Sequence, residues 1–245
     1  MSYNAYYAEV VAMTAFLVMG ARLLRMSTQT RGQPERYLSV AFLLWALGYI
    51  LWDVPYALTE NEWILTRFSF GGRVSINLGT IALAMFIRSV FRPESRWALW
   101  FVVGIAVGLI AGVAGSGWMG DWLGERPFEY AWYWFELVAN VAPSAWMAAE
   151  GMLSYQNAKR RLRLGLCDAL SCNRFLLWGL AGAIWAALEI VSFAQEIEHS
   201  LTGSWSFASD FLMGACEFVP VVLIWFAFFP PAAYRNRIAR PHRPT

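Results

Sequence analysis

Lysine and histidine are nearly absent from this sequence. Lys159 is the single lysine, and His199 and His242 are the only histidines. A retinal Schiff base needs a lysine amine inside the helix bundle, and Lys159 stands in a polar loop, so that chemistry is excluded. Two histidines in polar segments leave no axial pair for a bis-histidine haem and no histidine-rich metal site. No cofactor is therefore predicted. Cysteine is scarce as well: Cys167 and Cys172 share a loop, and Cys216 lies in an apolar run. Their spacing and neighbours suit neither a zinc site nor a redox pair, and no external disulfide is expected. A Ser, His and Asp triad and a phosphate loop are also missing, which leaves an enzymatic role with the least support.

Charge is the next scarcity. Only 15% of residues are charged, against 58% hydrophobic and 17% aromatic, and the apolar residues fall in long blocks between short polar loops. Such a chain has a lipid bilayer as its solvent and partner. Nineteen basic residues against seventeen acidic ones give a net charge of +2, which carries no footprint of a nucleic-acid partner.

A bilayer core takes roughly 20 helical residues to cross. Seven stretches meet that length, at approximately residues 6–26, 37–58, 71–91, 97–116, 128–154, 174–196 and 207–230. Backbone groups in lipid must bond internally, and the alternation of a barrel strand is missing, so these runs are helices. The expected fold is an all-α integral membrane protein, a single seven-transmembrane helix bundle over residues 1–245, with a basic cytoplasmic tail at 231–245. No Lys or Arg precedes the first run and no small-residue cleavage site follows it, so that run reads as a retained helix rather than a signal peptide.

The loops then orient the bundle. Arg22, Arg25, Arg31 and Arg36 flank the first loop, Arg92 and Arg96 the third, Lys159, Arg160, Arg161 and Arg163 the fifth, and Arg235, Arg237, Arg240 and Arg243 the tail. The even loops carry Glu60 and Glu62, then Asp121 and Glu125, then Glu196, Glu198 and His199. Positive charge stays inside, so the N-terminus is expected outside and the C-terminus in the cytoplasm, which fits a multi-pass protein of a bacterial inner membrane. Trp52, Trp63, Trp118, Trp122, Trp132 and Trp205 sit near the outer ends as an interfacial belt. Gly104, Gly108 and Gly112 make a small-residue stripe suited to close helix packing.

Ionisable groups inside a bilayer are costly and turn inward. Here they form stripes. Arg73, Asn77 and Thr80 repeat near i, i+4, i+7 on the third helix; Glu136, Asn140 and Pro143 do so on the fifth; Asp210, Gly214 and Glu217 do so on the seventh. With Asp53 and Glu189, these residues are expected in the outer half of the bundle, converging on an outward-facing cavity. Several carboxylates sharing one Arg73 cannot all stay ionised without a cation or protons, so the candidate ligand is a small cationic molecule, a metal ion or a proton. The alternative is that Arg73 pairs with one acid to lock helices together. Arg88 and Glu150, near inner helix ends, are weaker candidates. Pro143 and Pro220 each remove a helix hydrogen bond and are expected to kink their helices near the cavity. Lys159, Arg160, Arg161 and Arg163 are candidates for contact with anionic lipid or a cytoplasmic protein partner.

The run Arg36-Tyr37-Leu38 through Leu44-Trp45-Ala46-Leu47-Gly48-Tyr49, followed by an aromatic-rich outer loop, resembles the seven-helix sensory module of some bacterial histidine kinases. That resemblance implies reception of an outer-face signal and its transfer to a cytoplasmic output. The helices and loops leave no room for an output domain within these residues, so a separate partner is expected to supply it. Three functions remain open: a receptor-like sensory protein, a cation- or proton-coupled transporter, and a structural subunit of a membrane complex.

Overall fold

In the computed structural model the backbone is described for residues 3–118, 127–203 and 207–239, and the side chains for residues 10–55, 58–115, 128–203 and 216–238. Among these residues there are eight α-helices, one 3-10 turn and no strand. The helices are α1 (Tyr3–Thr30), α2 (Gln33–Leu58), α3 (Glu62–Phe91), α4 (Arg96–Trp118), α5 (Ala131–Arg163), α6 (Ala169–Thr202), α7 (Phe207–Phe228) and α8 (Ala232–Ala239). Several run well past the apolar stretches seen in the sequence. Helical hydrogen bonds do not stop at the hydrocarbon edge, so polar residues such as Lys159 and Arg160 extend α5 by two turns beyond its apolar part.

Local chemistry sets the breaks. Arg31 takes a left-handed φ of 55° to turn the chain between α1 and α2. The side chain of Asn61 caps α3 by accepting from the Trp63 and Ile64 amides. Asp168 caps α6 by accepting from the Ser171 amide. Gly203 ends α6 at φ 69°, where its amide donates to the His199 carbonyl.

The seven long helices pack in chain order as a closed ring. Each contacts the next, α7 returns to α1, and α3 also reaches α5. Aromatic side chains fill the interior: Trp185 of α6 meets Trp45 of α2 at 5.3 Å between ring centroids, and Trp178 meets Phe86 of α3 at 5.6 Å. The crossing of α2 and α3 is close because Gly48 and Gly72 face each other. A Cβ on Gly72 would lie 2.9 Å from the Gly48 carbonyl oxygen. The stripe on α4 behaves unevenly. Gly108 and Gly112 press against Ala139 and Glu136 of α5, whereas Gly104 faces open space.

Among the described residues, five helical stretches are long and apolar enough to cross a membrane: Val10–Thr30, Gln33–Pro55, Glu62–Phe91, Arg96–Gly115 and Ala169–Thr202. The described part of α7 and α8 form a sixth if counted as one span broken by a 73° bend. Helix α5 falls short because Glu136, Asn140 and Glu150 lie along it. The outer surface is correspondingly apolar, with Trp100, Ile110, Val107 and Val138 all more than half exposed. A water-soluble domain does not expose such side chains together, and a multi-pass membrane protein does.

The start of the tail is ordered. Pro230 and Pro231 end α7, and α8 docks back on the bundle, where Tyr234 Oη accepts a hydrogen bond from Asn173 Nδ2 at 2.9 Å. Pro231 has no amide to offer the Ala227 carbonyl four residues earlier. Arg174 Nε of α6 takes its place, donating to that oxygen at 3.0 Å.

Candidate functional site

The polar stripes of α3 and α5 face each other. Arg73 forks onto Glu136: its Nε donates to Oε1 at 2.8 Å, and its Nη2 donates to Oε2. Asn77 Nδ2, one turn further along α3, donates to the same Oε1 at 3.1 Å. Two more rungs follow, with Thr80 Oγ1 donating to Asn140 Oδ1 at 3.2 Å and Asn140 Nδ2 donating to the Glu136 carbonyl at 3.1 Å. Glu136 is almost fully buried, and α4 closes over it at Gly112, where a Cβ would lie 2.5 Å from the Glu136 Cβ. A bidentate, buried and further hydrogen-bonded pair of this kind holds helices in register.

Two residues outside the expected set join this cluster. Tyr133, three residues before Glu136 on the same face of α5, donates its hydroxyl to Glu196 Oε2 at 3.1 Å. Both Glu196 and Tyr133 lie within electrostatic range of Arg73. In sequence Glu196 reads as part of an outer loop; in the structure it belongs to α6, seven residues after Glu189 and so on nearly the same face.

Glu189 and Glu217 form a second set. Ser144 Oγ of α5 donates to Glu189 Oε1 at 3.1 Å, while Glu189 Oε2 is sealed from the surface with no hydrogen-bond partner among the described residues. Glu217 of α7 lies within electrostatic range of Glu189 and accepts a hydrogen bond from the Tyr49 hydroxyl of α2 at 3.0 Å. Four helices thus contribute to one pair of carboxyl groups. Trp185, one turn before Glu189, belongs to the aromatic fill between α2 and α6.

Asp53 follows Tyr49 by one turn on α2 and is half-buried. The side chains of Asp210, Gly214, Trp118, Trp122 and Trp205 lie outside the described residues, as do Asp121, Glu125, Arg240, His242 and Arg243. Among the described residues no three of His, Cys, Asp and Glu gather closely enough to hold a metal ion. Open grooves lie among the described residues between α1 and α7 and between α3 and α4, lined by apolar side chains apart from Thr14 and Asn77.

Towards the basic end of the bundle, Glu150 accepts from Arg92 Nε at 2.7 Å and from Trp146 Nε1 at 3.3 Å. The bond to Glu150 holds the Arg92 guanidinium above its ordinary range. Arg88 Nη2 donates to the Pro93 carbonyl at 3.2 Å. Lys159, Arg160, Arg161 and Arg163 are exposed over the last turns of α5, where cations complement the negative end of the helix dipole.

In comparisons with known proteins, the chain matches no protein-family model, no curated protein and no solved structure.

Proposed function

We propose that this chain is a seven-span protein of a bacterial inner membrane, with its N-terminus outside, that acts as a receptor-like sensor of protons or small cations. In this reading α5 and α7 also cross the bilayer, and the basic loops and tail face the cytoplasm. The observation that carries the functional part is Glu189 Oε2, a carboxyl oxygen sealed in the bundle without a hydrogen-bond partner among the described residues and within electrostatic range of a second carboxyl, Glu217. Two carboxyl groups in a medium of low dielectric repel unless a proton or a cation joins them. Arg73 is already engaged by Glu136, so Glu189 Oε2 is the carboxyl oxygen of the polar interior that lacks a hydrogen bond among the described residues.

Glu217 stands three residues before Pro220, within a helix that leads to α8. A change at the pair therefore has a direct route to the cytoplasmic end, where α8 and the exposed fifth loop are available to a separate output protein. The sensory reading accords with the resemblance of the second and third helices to histidine-kinase sensory modules.

The test is hydrogen exchange of α7 and α8 in lipid nanodiscs across a pH series, repeated with added cations. The wild type is expected to change protection in residues 216–238, and Glu189→Gln to hold one level throughout. Identical pH and cation profiles for wild type and Glu189→Gln would remove the proposal. Substrate flux in liposomes that Glu217→Gln abolishes would replace it with a coupled transporter.

A further inference from the structure

A groove of about 520 Å³ runs between α1 and α7 on the outer surface of the bundle. On α1 its wall is the row Val10, Thr14 and Val18, spaced four residues apart, and on α7 it is Phe218, Val222 and Trp225. The Thr14 hydroxyl is turned back onto the Val10 carbonyl at 2.7 Å, so the wall is apolar despite that residue. The α1 row continues one further turn to Arg22. Its guanidinium lies over the rings of Trp225 and Phe229, at 4.5 and 4.9 Å from their centroids. Neither ion pair among the described residues involves Arg22.

The dimensions and the charge identify the occupant. From Val10 to Val18 the lined wall rises about 12 Å, and Arg22 lies one turn, about 6 Å, beyond it. An apolar trough whose α1 row leads to a cation held on the face of a lining tryptophan matches a single lipid chain with its phosphate at the Arg22 end. A cation without a carboxylate partner favours a headgroup of net negative charge over one that carries its own amine. We infer that the α1–α7 groove is a site for an anionic phospholipid, with one acyl chain along Val10, Thr14 and Val18 and the phosphate on Arg22.

Native mass spectrometry of the full chain released from nanodiscs of mixed phosphatidylglycerol and phosphatidylcholine tests this site. Phosphatidylglycerol is expected to be retained preferentially, and Arg22→Gln to weaken that retention about fivefold, the equivalent of the ~1 kcal/mol that one arginine contributes near an anionic lipid surface. Val18→Trp, which fills the trough without touching the charge, is expected to reduce retention of both lipids. Arg67→Gln, an exposed arginine near the start of α3, is expected to leave the retained lipid unchanged. Equal retention of the two lipids by the wild type would overturn the inference. Unchanged phosphatidylglycerol retention by both Arg22→Gln and Val18→Trp would do so too, as would a dimer in nanodiscs that either substitution dissociates.

Discussion

Arg73 and Glu136 meet fork to fork between α3 and α5, and the same carboxylate also accepts from Asn77. Removing one partner of a buried pair leaves the other charge without compensation, at about 3–5 kcal/mol. Arg73→Ala and Glu136→Ala are therefore expected to destabilise the bundle strongly. The double substitution Arg73→Met with Glu136→Leu removes both charges at similar volume and should recover most of that loss. Unfolding of the purified protein in mixed micelles measures all three; a double variant as unstable as the sum of the singles would contradict the pairing.

Gly112 and Gly104 look equivalent in sequence and differ in surroundings. A Cβ on Gly112 would meet the Glu136 Cβ at 2.5 Å, close to the α5 backbone, where little can give. Gly112→Ala should cost about 1–3 kcal/mol through overpacking. Gly104→Ala meets nothing within 4 Å and should be neutral or stabilising by up to ~1 kcal/mol from helix propensity. Thermal denaturation in one detergent ranks the two variants, and the reverse order would refute the packing of α4 on α5.

Asp168 caps α6, with Oδ1 accepting from the Ser171 amide at 2.8 Å and Oδ2 from its hydroxyl at 2.6 Å. The Ser171 hydroxyl, helped by its amide, holds the Asp168 carboxyl below the ordinary range. The folded value lies below the unfolded one of about 3.9, so the cap stabilises fully above that pH and its contribution fades as pH falls through the folded value. Asp168→Ala should cost about 1 kcal/mol at neutral pH. Wild type and variant should converge in acid, which paired stability measurements across pH will show or deny.

Arg174 supplies the donor that Pro231 lacks, bonding the Ala227 carbonyl at the point where α7 gives way to α8. Arg174→Ala leaves that carbonyl without its donor, at about 1–3 kcal/mol. The effect should be local, seen as faster hydrogen exchange and proteolysis of residues 232–239, while the Arg73 and Glu136 cluster keeps its protection. Loss of protection throughout the bundle would instead make Arg174 a determinant of the whole fold.

Much of the site was legible in the sequence because helical periodicity is local. Arg73, Asn77 and Thr80 had to share one face of α3, and Glu136 and Asn140 one face of α5, whatever lay opposite them. Glu196 was not legible as an interior residue. Its neighbours Glu198 and His199 make the segment read as a loop, whereas α6 continues to Thr202 and turns Glu196 towards Tyr133. The signal for Tyr133 was present, three residues before Glu136 on the same face, but a tyrosine among Trp132 and Trp134 reads as part of an interfacial belt.

The sequence by itself determined that the chain is helical and apolar enough for a bilayer, and which helix faces carry polar groups. The reason is that hydrophobic run length and the 3.6-residue period are properties of neighbouring residues along the chain. Tertiary structure alone decided which faces meet. Arg73 reaches Glu136, while Glu189, within electrostatic range of Glu217, keeps one oxygen without a hydrogen bond among the described residues. Those pairings depend on how closely helices approach, at contacts such as Gly48 on Gly72 and Gly112 on Glu136, and that spacing is a property of packed surfaces rather than of any one segment.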